Sequence, residues 1–234
     1  MTSGLSVGRR RLFTATLALL GAFAMAAGCG KPEFNYVANT DEKTYFKVPS
    51  AWTMIDGSPV FATLQQVNPE SAAAQKISKI TWATVYDSSS RPLTSHVTTF
   101  YSTRDPVAYS AILHVPRQVQ GGISLDVLRN FLFPLFPVTD VYRKAAEDMG
   151  SPLTGFELLA DKVLSPKPGM RGVRVVYNYE MPTTDVDTFD LTVYTNNDAS
   201  IVYLLLIRCT ARCYRERAAE LDGVATSFTV GSQP

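Results

Sequence analysis

The stretch DTFDLTVYTNNDASIVYLLLIRC, from Asp187 to Cys209, decides the fold class. Its first part, up to Asn196, is rich in β-branched and aromatic residues, and so is its last part, from Ser200 onward. The turn between them contains Asn and Asp, which tolerate the positive φ angles of tight turns. A short turn joins strands antiparallel, because a parallel connection needs a crossover of a dozen or more residues. The stretch therefore predicts an antiparallel β-hairpin.

Further strands are predicted upstream of this hairpin. Runs of β-branched and aromatic residues are bounded there by Pro, Gly, Ser and Asp. These runs are Tyr45–Val48, Ile80–Asp87, Val107–Val115, Phe156–Leu164 and Arg171–Pro182. Short gaps separate the last two runs from each other and from the hairpin, so these four strands should form an antiparallel meander.

Helical spacing of apolar residues occurs in separate groups along the chain. The predicted helices are Asn68–Lys79, Leu125–Phe133, Asp140–Met149 and Tyr214–Ala225. Ser124 and Thr139 can cap the two central helices, and Gly150 can end the second of them. In that helix Val141, Ala145, Ala146 and Met149 should face inward. Helices grouped apart from meandering strands indicate an α+β fold with a central antiparallel sheet.

The N-terminus has the three parts of a secretory signal. Three arginines, Arg9 to Arg11, precede an uncharged apolar run from Leu12 to Gly28, and the run ends in small residues before Cys29. The run is shorter than the roughly 20 apolar residues that a membrane-spanning helix needs. We therefore expect residues 1–28 to be a cleaved signal peptide.

The sequence AAGC that ends at Cys29 resembles the lipobox of bacterial lipoproteins, although Ala26 stands where most lipoboxes have Leu. The resemblance implies that a diacylglyceryl group is attached to the Cys29 thiol, that cleavage occurs before Cys29, and that further acylation (palmitate) follows. An ordinary secretory signal with a chance cysteine is the alternative. The pair Arg10-Arg11 also resembles a twin-arginine export signal, which leaves the export route open.

Charge and length limit the classes of partner. Without residues 1–28 the chain keeps 19 of its 22 basic residues and all 21 acidic ones, so it is nearly neutral and nucleic acid is not expected as a partner. We expect an acylated N-terminus and flexible tether over residues 29–41, one α+β domain over residues 42–230, and a tail over 231–234. A flexible coil of about 12 residues would hold the domain on the order of 20 Å from a membrane.

The order of these elements resembles the PsbP/Mog-like fold. The residues that carry the resemblance are the FKVPSAW opening at Phe46–Trp52, the Ser124-capped helix, the four meandering strands, and a last helix that runs into ATSFTV at Ala225–Val230. Within that fold the chain is most similar to LpqN-type lipoproteins of actinobacteria. The resemblance implies a central antiparallel sheet with helices packed on both faces, and an accessory, assembly or binding role without a catalytic motif.

Cys209 and Cys213 are the two remaining cysteines of a chain that we expect to be exported. Positions i and i+4 of a helix or tight turn place Cα atoms about 6 Å apart, within the range that a disulfide spans. A redox dithiol usually has the spacing Cys-x-x-Cys, and a zinc site needs further ligands. The spacing therefore favours a structural disulfide over a redox or metal site.

Catalytic and metal motifs are missing from the sequence. His96 and His114 are the only histidines, and no Gly-x-Ser-x-Gly or His-Glu-x-x-His pattern accompanies them. Asp185, Asp187 and Asp190 are close together but lack the Gly and closing Glu of a calcium-binding EF-hand loop. We expect neither a cofactor nor a metal, and no enzyme activity, with a histidine-based hydrolase acting on the envelope as the alternative.

Two segments are candidates for a partner surface. FLFPLFPV, from Phe131 to Val138, is either a buried connection between helices or an exposed apolar rim formed by Phe131, Phe133, Leu135 and Phe136. The last corner is rich in arginine, and its Arg212 and Arg215 could contact an anionic headgroup or an acidic partner. Interleaved glutamates favour a self-neutralised helix face instead, with Arg212 and Glu216 spaced i, i+4.

These observations predict an exported lipoprotein on the outer face of the cell membrane. Its partners would be the membrane, through the lipid on Cys29, and an envelope protein or a lipid-like ligand. The expected role is that of a non-catalytic accessory or binding module. The alternatives are the hydrolase and a carrier of a lipid-like ligand, which would have a large apolar cavity between sheet and helices.

Overall fold

The computed structural model describes residues 32–64, 82–183 and 185–231. The predicted signal peptide, Cys29, the predicted helix over 68–79 and the last residues of the predicted tail lie outside the described residues.

The larger sheet has seven strands in the order β3-β4-β5-β9-β8-β7-β6, and every neighbouring pair is antiparallel. Its strands are β3 (Thr53–Asp56), β4 (Trp82–Asp87), β5 (Val107–His114), β6 (Thr154–Leu164), β7 (Met170–Glu180), β8 (Val186–Asn196) and β9 (Ile201–Thr210). The hairpin that the sequence predicts is β8–β9, and the predicted meander is β6 to β9. The predicted α+β fold with a central antiparallel sheet is therefore confirmed.

A smaller antiparallel sheet, in the order β1-β2-β10, covers part of the larger one. Its strands are β1 (Phe34–Asn39), β2 (Thr44–Pro49) and β10 (Thr229–Val230). The predicted tether is wrong over Phe34–Asn39, because these residues pair along their whole length with β2. Only Val37 of β1 is buried, so the structure of this strand depends on its pairing with β2.

Seven helices lie between the described strands: α1 (Ser58–Leu64), α2 (Ser95–Thr98), α3 (Arg117–Gln120), α4 (Leu125–Arg129), α5 (Asp140–Asp148), α6 (Ala211–Glu216) and α7 (Ala218–Thr226). The last predicted helix is thus divided in two, at Arg217. Among the described residues, no helix combines the length and the apolar character needed to cross a bilayer.

The caps of α4 and α5 differ from each other. The Ser124 hydroxyl accepts a hydrogen bond from the Val127 N–H, as predicted. The predicted Thr139 cap is wrong, because the Thr139 hydroxyl accepts from the Asn130 side-chain amide instead. The side-chain Oδ1 atom of Asn130 in turn accepts from the N–H groups of Val138 and Thr139, so Asn130 organises the connection between the two helices.

Helix α5 lies at the periphery of the domain and buries one residue, Ala146. The expectation that Val141 and Met149 face inward is wrong, since they are 77% and 58% exposed. The described elements do not cover these two side chains.

Strand alternation gives the domain two cores, one on each face of the larger sheet. On one face, Phe189 and Leu204 pack with Leu128, Leu132 and Phe136, which belong to α4 and the segment after it. The opposite face packs against the smaller sheet and α7 through side chains that include Phe46, Trp52, Tyr203, Leu205, Leu221 and Phe228. Helices therefore pack on both faces of the sheet, as expected.

Candidate functional site

One end of the larger sheet carries two cavities with polar linings. We call it the Asp87 end, because β4 ends there at Asp87, beside Val107 of β5 and Arg208 of β9. The connection from β4 to β5 (residues 88–106), the start of β8 and the corner between β9 and α6 all lie at this end. Separate parts of the chain, among them β6 and β7 through Glu157 and Asn178, therefore supply the side chains at this end.

The larger cavity is an open cleft of about 780 Å³, which we call the charged cleft. Its charged lining residues are Arg104, Glu157, Asp185, Arg212, Arg215 and Glu216, and the Cys213 side of the disulfide also lines it. Three guanidinium groups and three carboxylates thus face one space. A cleft of this size and charge is suited to a polar ligand or a polar segment of a partner.

The arginines of the last corner have separate roles. Arg212 donates to Glu216 at 2.8 Å and Arg217 pairs with Glu220, so the predicted self-neutralised face exists for these two. Arg208 is fully buried in the sheet. Arg215 is exposed, and it has no carboxylate partner among the described residues.

Arg104 is a residue of the cleft that the sequence reasoning missed. It lies in the β4–β5 connection, more than 100 residues before Arg212, and lines both cavities of the Asp87 end. No local pattern identifies it, because strand pairing between β5 and β9 brings the two segments together. An isolated arginine in a polar loop gives no signal in the sequence.

The smaller cavity, of about 340 Å³, is lined by the β4–β5 connection alone. We call it the His96 pocket. Its lining residues are Ser89, Ser95, His96, Thr99, Tyr101, Ser102, Thr103, Arg104 and Asp105, so all of them are polar and six carry a hydroxyl group.

His96 is held by a buried carboxylate. Its Nδ1 atom lies 2.6 Å from Oδ2 of Asp87, whose side chain is inaccessible to solvent. Asp87 also accepts hydrogen bonds from the N–H groups of Ser89 and Leu93. Because the carboxylate binds Nδ1, the imidazole is oriented with Nε2 as its second polar atom, the arrangement of a histidine positioned by an acid.

A second buried carboxylate, Asp187, holds the same connection through Arg208. The Arg208 guanidinium donates to Asp187 at 2.9 Å and to main-chain carbonyl groups of the connection, at His96, Val97, Thr99 and Tyr101. It also lies over the Phe136 and Phe189 rings, at 5.1 and 5.0 Å from their centroids. Burial raises the pKa of Asp187, an effect that the charge of Arg208 opposes, and burial lowers the pKa of Arg208. The pair therefore fixes the loop that forms the His96 pocket.

A related network fixes the helices beside the charged cleft. Asp190, buried in β8, accepts two hydrogen bonds from Arg174, at 2.9 and 2.7 Å, and one from the Tyr214 hydroxyl of α6 at 2.7 Å. Arg174 also pairs with Asp222 of α7. The hydrogen bonds to Asp190 raise the pKa of Arg174, and burial raises the pKa of Tyr214. These bonds join α6 and α7 to the sheet.

The predicted disulfide between Cys209 and Cys213 is present, with its Cα atoms 6.0 Å apart. Cys209 is in β9 and Cys213 in α6, so the bond closes the corner between strand and helix. The Thr210 hydroxyl caps α6 by accepting from the Cys213 N–H. The corner that supplies Arg212 and Arg215 is therefore fixed covalently.

Of the two alternatives for FLFPLFPV, the structure has the buried connection and not the exposed apolar rim. Phe136 is completely buried, with its ring centroid 4.5 Å from that of Phe189, and it cannot contact a partner. Phe131, Phe133 and Leu135 are half-buried, and Phe133 packs edge-on against Tyr142 of α5. The segment is a connection that completes the core, because the carbonyls of Phe136 and Pro137 also accept from the buried Tyr177 and Tyr179 hydroxyls.

A more apolar groove of about 660 Å³ lies between α5 and β6. Its apolar lining residues are Val138, Val141, Tyr142, Phe156 and Leu158, and its polar ones are Asp126, Arg129, Thr139, Asp140, Arg143 and Asp161. This open groove is the nearest counterpart of the apolar cavity that a lipid carrier would need, but charged side chains also line it.

The remaining candidate residues lie in separate places. His114 pairs with Glu42 at 2.8 Å, at the end of β5 opposite to Asp87. The three aspartates of the predicted hairpin approach do not converge, since Asp187 binds Arg208 and Asp190 binds Arg174, whereas Asp185 lines the cleft. Within the described part of the chain, no group of three His, Cys, Asp or Glu side chains could hold a metal ion.

The sequence matches no family model and no curated protein. Among solved structures, the chain is similar to cyanobacterial PsbP from Synechocystis sp. PCC 6803, at 18% identity and a TM-score of 0.48, over 90% of this chain and 100% of that one. It is also similar to the Ran-binding protein Mog1p of Saccharomyces cerevisiae, at 9% identity and a TM-score of 0.41, over 84% of this chain and 95% of that one.

A third similar structure is LpqN of Mycobacterium tuberculosis, a protein described as involved in cell envelope biogenesis. The identity is 13% and the TM-score 0.40, over 85% of this chain and 91% of that one. PsbP- and Mog1-type proteins are thus among the similar solved structures. At these identities the likeness concerns the fold alone, so no function is transferred.

Proposed function

We propose that this protein is a lipid-anchored binding module on the outer face of the cell membrane, of the LpqN type, and that its binding face is the charged cleft. The observation that carries the proposal is the disulfide between Cys209 and Cys213. Disulfides persist in oxidising compartments outside the cytosol, which fits an exported protein. Since that bond uses two of the three cysteines, Cys29 is the unpaired one, and it follows a signal-like segment.

The charged cleft supports the binding role. Arg212 forms an ion pair with Glu216, and Glu157 accepts a hydrogen bond from Asn178. The other charged side chains of the cleft, which could contact a ligand, are Arg104, Arg215 and Asp185. The disulfide and the Asp190 network fix the main chain around them. A binding face whose main chain is already fixed loses less conformational entropy on association.

Replacing Cys29 with Ser tests the anchor. The wild-type protein should stay with membranes and incorporate labelled fatty acid, and the Cys29→Ser protein should do neither, because serine has no thiol to receive the lipid. Two or more acyl chains give stable membrane attachment, and the wild-type protein should carry them. The Cys29→Ser protein should carry none, so nearly all of it should be lost from the membrane fraction. A Cys29→Ser protein that still carries label would contradict the proposal.

The binding face is tested by pull-down from solubilised envelope with the wild-type protein and with an Arg104→Glu/Arg215→Glu variant. We expect a specific envelope component with the wild type that is lost with the variant, since reversing two charges in one cleft replaces attraction by repulsion. The matched control is Arg117→Glu/Arg171→Glu, which leaves the cleft unchanged. Equal recovery with all three proteins would contradict the role of the cleft.

The position of His96 favours one second candidate, a hydrolase. A buried acid orients the imidazole, and the pocket contains serine hydroxyls, as a nucleophilic mechanism requires. Among the described residues, however, no serine hydroxyl or cysteine thiol is hydrogen-bonded to His96. The geometry therefore supplies a base and its orienting acid without an activated nucleophile.

Ester hydrolysis by the purified protein separates the two candidates. A binding module should give the same background rate for the wild type, His96→Ala and His114→Ala. A hydrolase should lose roughly 100-fold or more in rate on His96→Ala, the usual range for removing a general base, while His114→Ala stays at the wild-type rate. The second result would replace the proposed function.

A further inference from the structure

The direction of β2 shows at which end of the domain the N-terminal segment enters. At the start of β2, the adjacent Glu42 pairs with His114, at the far end of β5. At its finish, Pro49 is followed by a tight turn in which the Trp52 N–H donates to the Pro49 carbonyl, and then by β3. Thr53, the first residue of β3, pairs with Asp87. Strand β2 therefore runs from the His114 end to the Asp87 end.

The N-terminal residue of β1 is consequently at the Asp87 end. Phe34 pairs with Pro49, and the Ser50 N–H donates to the Glu33 carbonyl at 2.9 Å. The same corner contacts the β4–β5 connection through Arg217, which lies over the Trp52 ring and donates to the Ser88 hydroxyl. The chain thus enters the domain at the same end as the two polar cavities.

Few residues separate this entry point from Cys29. Four residues, at positions 30–33, lie between Cys29 and Phe34, so the two Cα atoms are at most about 17 Å apart even when the chain is fully extended. Strand β5 alone, with its eight residues, spans roughly 24 Å from the Asp87 end to the His114 end. A lipid on Cys29 can therefore reach a bilayer far more easily with the Asp87 end facing it than with the His114 end facing it.

The Asp87 end has side chains suited to a lipid surface. Leu93 and Tyr101, both in the β4–β5 connection, are 51% and 68% exposed. Arg91, Arg104 and Arg215 are exposed at the same end. Tyrosine is favoured at the level of lipid headgroups, and arginine near an anionic surface is attracted to it.

We infer that the Asp87 end of the domain faces the bilayer, with Leu93 and Tyr101 at the headgroup level and Arg104 and Arg215 in contact with anionic headgroups. The inference rests on the proposed lipid anchor at Cys29. It deepens that proposal because the charged cleft then opens toward the membrane surface, so its partner is a membrane-bound anionic group.

Leu93 and Val119 provide a matched pair of positions for the test. Leu93 is 51% exposed at the Asp87 end, and Val119, which is 53% exposed, lies in α3 just after the His114 end of β5. Leu93→Cys and Val119→Cys are made in the full chain and labelled with a thiol-reactive fluorophore. Cys209 and Cys213 are paired and Cys29 carries lipid under the proposed function, so the added cysteine is the reactive thiol.

The labelled proteins are reconstituted into vesicles of phosphatidylcholine and phosphatidylglycerol that contain a lipid with a nitroxide quencher on its headgroup. We expect the label at position 93 to lose most of its fluorescence and the label at position 119 to lose almost none. Equal quenching at the two positions, or stronger quenching at 119, would overturn the inferred orientation.

The headgroup contact is tested in the same vesicles. Arg104→Gln/Arg215→Gln, combined with the label at 93, should reduce the quenching, and Arg117→Gln, at the His114 end, should not. Unchanged quenching in the double variant would overturn the contact. Flotation distinguishes the two proposals: a protein that does not float with the vesicles refutes the anchor, whereas one that floats with position 119 quenched refutes only the orientation.

Discussion

Replacing Arg208 with Met should lower the free energy of unfolding by about 4 kcal/mol, because removing one partner of a buried ion pair leaves the other charge unpaired. Arg208 and Asp187 both have side chains inaccessible to solvent. For a domain of this size the melting temperature should fall by roughly 10 °C. Chemical denaturation, followed by fluorescence and circular dichroism, measures the change.

Arg212→Met is the matched control for this experiment. Arg212 also forms one ion pair and is only four residues away, but its side chain is 81% exposed. Exposed pairs contribute little to stability, so the free energy of unfolding should change by less than about 1 kcal/mol. Similar losses for the two variants would show that Arg208 does not have the buried role assigned to it.

The double variant Asp187→Leu/Arg208→Met separates two functions of Arg208. Replacing a whole buried pair by apolar residues is often neutral. Arg208, however, also donates to the carbonyls of residues 97, 99 and 101, and these would still lose their donor. We therefore expect the double variant to remain less stable than the wild type. Full recovery of stability would mean that the only role of Arg208 is to neutralise Asp187.

Replacing Asp190 with Ala should have the second-largest effect, a loss of about 3 kcal/mol of unfolding free energy. Asp190 is inaccessible to solvent, and its removal leaves the guanidinium of Arg174, which is 15% exposed, without its main partner. The Tyr214 hydroxyl of α6 loses its acceptor at the same time. Hydrogen exchange should show the protection of α6 and α7 falling more than that of β4 and β5.

Asp222→Ala is the control on the same guanidinium. Asp222 binds Arg174 at 2.8 Å, but its side chain is 60% exposed. Water can replace this carboxylate, so the loss should stay below about 1 kcal/mol. If Asp190→Ala and Asp222→Ala destabilise the domain equally, burial is not what makes the Asp190 contact important.

Most strands could be predicted from the sequence because their signal is local. The β8–β9 hairpin has two β-branched runs with Asn and Asp between them, and both the turn and the pairing follow from that pattern. Strand β1 could not be predicted in this way. It buries one residue, Val37, so its structure depends on pairing with β2.

The candidate site was predicted in part. Arg212 and Arg215 were identified from their crowding in the sequence, and they line the cleft. Phe136 was a candidate for a partner surface because an apolar residue between prolines looks the same in the sequence whether it is buried or exposed. Its burial depends on Phe189 and Arg208, which lie far from it in the chain.

Local sequence was sufficient for the hypothesis of export and lipid attachment, for the β-hairpin, and for the pairing of Cys209 with Cys213, since each depends on neighbouring residues alone. Only the tertiary structure brings Arg104 beside Arg212 and Arg215 and places Arg208 under the β4–β5 connection. It also decides that the chain enters the domain at the Asp87 end. These features depend on strand order and register, and the first two join residues more than 100 positions apart. Such contacts are set by packing of the whole sheet, and no short segment of the sequence contains them.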